Sequence, residues 1–273
     1  MSEKNRNGKT SARQALQAQR ERDKARAKRK RTLTVAGAVV VVLAAAAGIS
    51  IAVADHSGSK SSSGDSAGTV TAPRGATGKD NLVIPVGAAD APSTLTVYED
   101  FRCPACDEFE KTFTPTIHSL EDSGALRTEY HLVTLIDGNL GGTGSLNAGN
   151  AAACAQDQGK FRAYHDVLYD NQPDEQDDKF GTKSTLLTLA GKVPGLKNAA
   201  FTACVDNGTH NAWVKKSNDA FNTAGYNSTP TVLLNGKSIY GTTALTPASL
   251  KQMVQSANKG KKPGTVTATP SPS

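Results

Sequence analysis

The chain has 273 residues, a formal net charge of +6 and four cysteines, and its charge is distributed very unevenly. Residues 1–31 contain twelve Lys or Arg against three acids, a local charge of +9, so the rest of the chain sums to −3. Because the basic balance belongs to one tail, composition excludes a generally basic, nucleic-acid-binding fold, and we expect no nucleic-acid partner.

An uncharged apolar segment, residues 33–54, follows the basic tail. As a helix it is long enough to cross a hydrocarbon core of about 30 Å. The basic cluster directly before it predicts a cytoplasmic tail, 1–32, and places all later residues outside. A signal peptide cleaved after Ala54 is the alternative, which the long charged leader disfavours. We therefore predict a single-pass protein of the cell membrane, held by an uncleaved signal anchor.

Two segments of low apolar content flank the remaining sequence. Residues 55–79 consist mostly of Ser, Gly, Thr and Ala, and residues 259–273 contain GKKPG and TPSPS. Such segments bury too little apolar surface to fold, so we predict a flexible linker and a disordered tail. Residues 80–258 then form one domain of sufficient length for a sizeable core.

At the centre of this domain, Cys103 and Cys106 lie where a predicted strand, 94–99, meets a predicted helix. Pro104 suits the first helical turn, and Ala105 adds no bulk beside the sulfurs. The positive end of the helix dipole would stabilise a thiolate on the first cysteine. The pattern indicates a redox dithiol, with a structural disulfide or half of a zinc site as alternatives. The other two cysteines stand singly and offer no second zinc-binding pair.

Hydrophobic periodicity and turn residues place the other elements. Further strands are predicted at 82–86, 127–136, 231–234 and 238–240, the last two joined by an Asn-Gly turn. Helices are predicted from the cysteines to about residue 120 and at 145–158, 161–171, 183–192, 196–205, 211–224 and 247–257. Pro115 is expected to kink or split the cysteine helix.

Three other features of the sequence are interpreted as having no binding or catalytic role. The glycine-rich segment 138–144 lacks the Lys-Ser or Lys-Thr of a phosphate-binding loop and is interpreted as a flexible loop. The acidic segment 174–178 lacks the spacing of a calcium loop and is interpreted as a solvated turn. The five histidines show no zinc-protease pattern, and no chemistry is assigned to them.

Three features resemble the DsbA-like branch of the thioredoxin superfamily. They are the sequence EDFRCPAC after a strand, the sequence TPTVLLNG near the end and the helical block between them. The resemblance covers residues 82–258, and NLVIPVGAADAP resembles the lead-in of membrane-anchored bacterial members. It implies an α/β thioredoxin fold with a helical insertion at about 140–225, preceded by one transmembrane helix. It also implies a thiol-disulfide oxidoreductase without cofactor or metal.

The resemblance also implies roles for individual residues. Cys103 would be the attacking sulfur and Cys106 the resolving sulfur. Members of the branch keep a cis proline facing the dithiol, a position that Pro230 matches, whereas an ordinary trans proline opening a strand is the alternative. Thr229 could bind an extended client segment by adding a strand.

Two departures from the relatives limit what the resemblance carries over. Ala105 stands where DsbA has a histidine that helps to hold the thiolate, so we expect lower oxidising power. Val97 stands where many thioredoxin-like proteins have a buried acid, and either Glu99 or Asp100 could relay the proton instead. Arg102 is expected to add a positive charge beside the thiolate.

Cys154 and Cys204 lie on two predicted helices with apolar neighbours. With the CPAC pair assigned to the active site by the resemblance, these two remain as a structural disulfide. Two buried free thiols are the alternative, which an oxidising compartment disfavours.

We expect an oxidase that introduces disulfides into exported proteins through their cysteine thiols, because the helical insertion resembles that of DsbA-type oxidases. Its own disulfide would be renewed by a quinone-linked membrane partner of the DsbB or VKOR type. A disulfide reductase or isomerase of the same fold is one alternative. A non-catalytic, membrane-tethered client-binding module is another, although the intact cysteine pair favours an enzyme.

Overall fold

The computed structural model describes residues 69–241 and 245–266. The basic tail, the apolar segment 33–54 and residues 55–68 of the predicted linker lie outside the described residues. Across the described ranges, no helix is both long and apolar enough to cross a membrane.

Within the described ranges, five strands form one mixed sheet in the order β1-β3-β2-β4-β5. The strands are β1 (Ile84–Gly87), β2 (Thr94–Glu99), β3 (Arg127–Leu132), β4 (Thr231–Leu234) and β5 (Lys237–Ser238). β2 runs parallel to β3, and the other neighbours are antiparallel. Every second residue of the central strand β2 is buried, from Leu95 through Val97 to Glu99, as the two-residue period of a strand requires. The chain leaves this strand directly toward the two cysteines.

Helices flank the sheet and fill the connection between β3 and β4. They are α1 (Pro104–Asp122), α2 (Leu135–Leu140), α3 (Gly144–Asp157), α4 (Phe161–Asp170), α5 (Lys183–Ala190), α6 (Ala199–Asn207), α7 (Asn211–Thr223) and α8 (Pro247–Ala257). Helices α2 to α7 lie between β3 and β4. This arrangement confirms the predicted thioredoxin-like α/β fold with a helical insertion, which begins a few residues before the predicted boundary.

The core follows the apolar faces of these helices. On α1, Phe109, Phe113 and Ile117 are buried at four-residue intervals, which forms a single apolar stripe. Helix α3 is buried on nearly all sides and consists largely of Ala, Gly and Asn, so that neighbouring helices can approach it closely. It contacts α4, α6 and α7 and forms the centre of the insertion.

The predicted strand 127–136 is too long, because β3 ends at Leu132 and Ile136 belongs to α2. The amide of Ile136 donates to a carboxylate oxygen of Asp100 at 2.8 Å, which turns the apolar run away from the sheet. The predicted flexible loop 138–144 is also wrong. Its first half continues α2, and the carboxylate of Asp137 accepts the amides of Ser145 and Leu146 to cap α3.

Pro115 does not split α1, which runs as one helix from Pro104 to Asp122. The proline ring lies on the exposed face, where a missing backbone hydrogen bond costs least.

The predicted acidic turn, residues 174–178, is partly wrong as well. Asp178 accepts the amides of Thr143 and Gly144, so it fixes the start of α3 rather than facing only solvent.

The folded domain extends beyond both ends of the predicted range 80–258. Before it, the carbonyl of Thr71 accepts a 2.8 Å hydrogen bond from His210, and Arg74 donates its amide to Asp157. After it, Gly264 donates its amide to the carbonyl of Gly124 at 2.8 Å. The described parts of the predicted linker and tail, 69–79 and 259–266, therefore pack against the domain, which holds their backbone groups by hydrogen bonds that composition does not reveal.

Candidate active site

Cys103 is the N-cap residue of α1, with an extended backbone (φ −79°, ψ 118°), and Pro104 opens the helix. Proline suits this position because its fixed φ matches the helix and its missing amide would have no helical partner. Cys106 lies one turn further and is completely buried, whereas the Cys103 side chain is 6% exposed. Both thiols are free in this structure. The pair therefore presents one sulfur at the mouth of a helix and one in the core.

The pKa of Cys103 is lowered from 9.0 to about 6. The largest cause is the hydrogen bond from the Cys106 thiol, followed by contributions from Thr229 and from the amides of Cys106 and Ala105, which together outweigh burial. These groups donate to an anionic sulfur, as expected where the first amides of a helix lack helical acceptors. Cys103 is therefore a thiolate at neutral pH.

The pKa of Cys106 is shifted in the opposite direction. Burial raises it well above 9.0, and the bond to Cys103 and the charge of Cys103 raise it further. A fully buried anion has lost its hydration, so the neutral thiol is favoured. The two sulfurs therefore have different protonation states, with the proton held on Cys106.

The loop before β4 closes over the first sulfur. The Thr229–Pro230 peptide bond is cis, and both residues are buried. When Cys103 is protonated, its thiol donates a hydrogen bond to the carbonyl oxygen of Thr229, with Sγ and the oxygen 3.3 Å apart. The structure thus brings together the four residues that the resemblance singles out for the dithiol and the proline loop.

Glu99 and Asp100, the two acids considered for proton relay, are both buried but differ in their bonding. Both carboxylate oxygens of Asp100 accept backbone amides, from Arg102 and from Ile136, each at 2.8 Å. Burial nevertheless raises its pKa to about 7. Asp100 therefore fixes the backbone around the site. Glu99, on the buried face of β2, is one of the charges that raise the pKa of Cys106.

His165, to which the sequence assigned no chemistry, lies on α4 and pairs with Glu99. Its Nε2 is 2.9 Å from Glu99 Oε1, and the side chains are 2% and 0% exposed. Burial lowers the pKa of His165, but the carboxylate of Glu99 and a hydrogen bond to Asp166 outweigh it and raise the pKa well above 6.5. The sequence offers one signal: His165 follows Phe161 by four residues, which places it on the apolar face of the helix.

Arg102 does not act as expected. Its guanidinium is 2% exposed and lies 2.7 Å from Asp137 and 3.1 Å from Asp178, and it also donates to the carbonyl of Gly141. The groups that lower the pKa of Cys103 do not include it. Its positive charge is neutralised by the two carboxylates, and Arg102 joins the active-site turn to the helical insertion.

Gln172, in the loop after α4, also holds the active-site turn in place, a role that the sequence did not predict. Its side-chain amide donates to the carbonyls of Phe101 and Cys103, both at 3.0 Å. One amide group thus holds the backbone on both sides of Arg102. The signal in the sequence is too weak to find it, because a single glutamine in a loop carries no periodicity.

Cys154 on α3 and Cys204 on α6 are joined by a disulfide across 50 residues of sequence. His210 has a ring nitrogen close to these sulfurs, but sulfurs bonded to each other cannot serve as thiolate ligands for a metal. The bridge lies within the helical insertion. It is separate in sequence and in bonding from the CPAC dithiol.

Comparison with known proteins matches residues 79–256 to the family described as Thioredoxin. The Disulfide bond formation protein D of Bacillus subtilis (strain 168) is 27% identical over 157 residues, which cover 56% of this chain and 68% of that protein. Two solved structures from Mycobacterium tuberculosis are also similar. Reduced DsbA shares 27% identity at a TM-score of 0.57, covering 67% of this chain and 95% of its own. Reduced DsbG shares 28% identity at a TM-score of 0.57, covering 67% and 89%.

Proposed function

We propose that this chain, which belongs to the thioredoxin family and is a thiol-disulfide oxidoreductase of DsbA type, oxidises cysteine pairs of exported proteins through Cys103 and Cys106. The observation that carries this proposal is the placement of two free thiols at one helix mouth, with Cys103 at the N-cap and Cys106 completely buried, which shifts their pKa values in opposite directions. Stabilising the Cys103 thiolate stabilises the reduced enzyme, and a stabilised reduced form makes the disulfide a stronger oxidant.

The reaction begins with the Cys103–Cys106 disulfide. A client thiolate attacks the sulfur of Cys103, the bond between the two enzyme sulfurs breaks, and its electron pair leaves on Cys106, which takes up a proton. A second client thiolate then attacks the client sulfur of the mixed disulfide and releases Cys103 as a thiolate. Two electrons pass from the client to the enzyme, and the client gains one disulfide. The low pKa of Cys103 makes it a good leaving group in this second step.

The loop at Thr229 and Pro230 would bind the client. The adjacent strand β4 pairs with β2 on one side and with the two-residue strand β5 on the other. An extended client segment can pair with the backbone of Thr229 beside the sulfur, which adds a short strand to the sheet. Backbone pairing depends little on client side chains, so this mode suits a protein that oxidises many clients.

The location and the redox partner rest on the sequence alone. The basic tail and the uncharged segment 33–54 support a single-pass membrane protein with its catalytic domain outside the cytoplasm. Reduced enzyme must be reoxidised after each cycle, and a quinone-linked membrane protein of DsbB or VKOR type would do so. Membrane anchorage would keep both proteins in the same plane.

Oxidation of a client is the direct test of this function. Oxidised protein mixed with a reduced two-cysteine peptide should convert the peptide to its disulfide and leave one equivalent of reduced enzyme, measured by mass spectrometry after acid quench and alkylation. Protein in which Cys103 and Cys106 are alkylated beforehand is the matched control and should leave the peptide reduced. If the reduced enzyme instead opens a peptide disulfide at equilibrium while the oxidised form leaves the peptide thiols intact, the protein is a reductase.

Topology provides a second test. Protease added to intact spheroplasts should remove the domain at residues 80–258 while leaving a membrane fragment that contains the tail. The positive charge before the span predicts this orientation. Protection of the domain from protease, or its release into the medium as a cleaved product, would contradict the proposed signal anchor.

A further inference from the structure

The bridge between Cys154 and Cys204 belongs to a larger group of chelating side chains in the helical insertion. A ring nitrogen of His210 and the two sulfurs all lie within 4.8 Å of one another. Asp157 adds a carboxylate, because its Oδ2 lies 2.9 Å from His210 Nε2. Cys154 and His210 are at most 1% exposed, whereas Cys204 is half-buried. The group therefore collects in one place the sulfur, imidazole and carboxylate ligands that bind zinc in proteins.

Helix α3 supplies one side of this group. Asn150, Cys154 and Asp157 follow one another along α3 at intervals of four and three residues, so they share one helix face. The side-chain oxygen of Asn150 accepts the backbone amide of His210 at 2.7 Å, which holds His210 next to that face. One helix face therefore provides a sulfur and a carboxylate, and it also fixes the residue that provides the imidazole.

The turn between α6 and α7 supplies the other side. Helix α6 ends in the left-handed residue Gly208 (φ 60°), and the amide of Thr209 donates to the carbonyl of Cys204. His210 follows as the N-cap residue of α7. This tight reversal brings the imidazole back beside the Cys204 sulfur. The positive end of the α7 dipole lies at the same point and favours negative charge, which reduced sulfurs would carry as thiolates.

The imidazole of His210 is held as in a metal-binding histidine. Its Nδ1 lies 2.8 Å from the carbonyl oxygen of Thr71, and its Nε2 lies 2.9 Å from the carboxylate of Asp157. A carbonyl oxygen and a carboxylate are acceptors only, so both ring nitrogens carry a proton while the bridge is intact. A carbonyl acceptor at one ring nitrogen is the usual outer contact that orients a histidine toward a metal at its other nitrogen. A zinc ion at Nε2 would replace one proton and leave the bond to Thr71 in place.

We propose that Cys154 and Cys204 in their reduced form, together with His210 and Asp157, bind one zinc ion before the disulfide forms. Two thiolates, an imidazole and a carboxylate match a closed, tetrahedral structural site. The metal holds α3, α6 and α7 together while the bridge is open, and it keeps both thiolates from pairing wrongly with Cys103. This role does not depend on the direction in which the CPAC pair reacts with its clients.

The change from zinc site to disulfide uses the disulfide of a second protein as the oxidant. The thiolate of Cys204, the more exposed of the two, attacks that disulfide, and one sulfur of the oxidant leaves as a thiolate. The thiolate of Cys154 then attacks the Cys204 sulfur and releases the other sulfur of the oxidant. Two electrons pass to the oxidant, and the zinc ion departs because it has lost both sulfur ligands. His210 takes up one proton from water at Nε2, which gives the hydrogen-bonded arrangement of this structure.

Binding of Co²⁺ and Zn²⁺ tests this site in the full-length chain carrying Cys103→Ser and Cys106→Ser, the parent protein, whose only cysteines are the bridge pair. After reduction and anaerobic removal of the reductant, one equivalent of Co²⁺ should give the visible absorption of a tetrahedral site and a thiolate-to-cobalt band. Zn²⁺ should abolish both by displacing the cobalt. The oxidised parent should show neither signal. Zn²⁺ should also raise the thermal unfolding midpoint of the reduced parent and leave that of the oxidised parent unchanged.

Variants of the parent separate the loss of a ligand from structural damage. His210→Asn and Asp157→Asn should each bind Zn²⁺ at least about tenfold more weakly, whereas His118→Asn on α1 is the matched control and should bind as the parent does. His210→Cys supplies a different zinc ligand at the same place and should recover the binding, which a mere packing role would not allow. The absence of a thiolate-to-cobalt band in the reduced parent would overturn the proposal. Parent-like affinity in His210→Asn, or no recovery in His210→Cys, would also overturn it.

Discussion

Serine at Cys103 should abolish thiol-disulfide exchange, whereas serine at Cys106 should yield a protein that captures its clients. Cys106 is completely buried, so without Cys103 a client thiol has no accessible sulfur to attack. With Cys103 alone, its thiolate can attack a client disulfide and form a mixed disulfide as one client thiolate leaves, but no resolving thiol can then release the client. Non-reducing electrophoresis of extracts should show client adducts of Cys106→Ser and none of Cys103→Ser.

Two variants of Cys106 test why Cys103 is acidic. The Cys106 thiol contributes the largest lowering of the Cys103 pKa, so Cys106→Ala should raise that pKa from about 6 toward its ordinary value. Cys106→Ser retains an O–H donor and should stay closer to the wild type. Because the folded pKa is depressed, the thiolate persists at neutral pH and is lost only as the pH falls through about 6. Absorbance at 240 nm follows this titration, and equal midpoints for the Ala and Ser variants would contradict the hydrogen-bond account.

Removing the disulfide between Cys154 and Cys204 should give the largest loss of stability. The bond closes a loop of 50 residues between α3 and α6, two helices that contact each other in the insertion. Restricting a loop of that length in the unfolded chain stabilises the native state by about 4 kcal/mol. Thermal unfolding of Cys154→Ala/Cys204→Ala should therefore show a midpoint on the order of 10 °C lower.

The redox state of Cys103 and Cys106 must not contribute to this difference in thermal stability. Both proteins should carry Cys103→Ser and Cys106→Ser, so that only the structural bridge differs between them. In the otherwise native protein, the double alanine change should leave the pH dependence of Cys103 alkylation intact, because Cys154 and Cys204 are not among the groups that shift the pKa of Cys103. Rapid alkylation of Cys154 and Cys204 in folded, unreduced protein would show that the bridge is absent.

The periodicity of the sequence predicted the elements around the dithiol well. Alternation along 94–99 gave β2 with its bounds as observed, and the three- to four-residue spacing after Cys106 gave the buried stripe of α1. Asn-Gly placed the hairpin between β4 and β5. These signals are local, because each depends on residues that are neighbours in the chain.

Contacts between distant segments could not be predicted in this way. Whether Glu99 or Asp100 faced the site was ambiguous, because both are buried at the point where β2 ends and the chain turns. His165 pairs with Glu99 across 66 positions, and Asp178 fixes the start of α3 from 34 positions away. Arg102 was misjudged for the same reason. Its two carboxylate partners lie on elements whose positions depend on the packing of the whole insertion.

The reduction potential of the Cys103–Cys106 pair tests the central claim most directly. It is measured by equilibrating the protein with glutathione buffers of known ratio and quantifying the oxidised fraction after acid quench. A stabilised Cys103 thiolate makes the disulfide oxidising, whereas Ala105 provides no histidine to stabilise that thiolate further. We therefore predict a value between those of thioredoxin and DsbA, about −270 and about −120 mV. A value at or below about −270 mV would contradict an oxidase and identify the protein as a reductase.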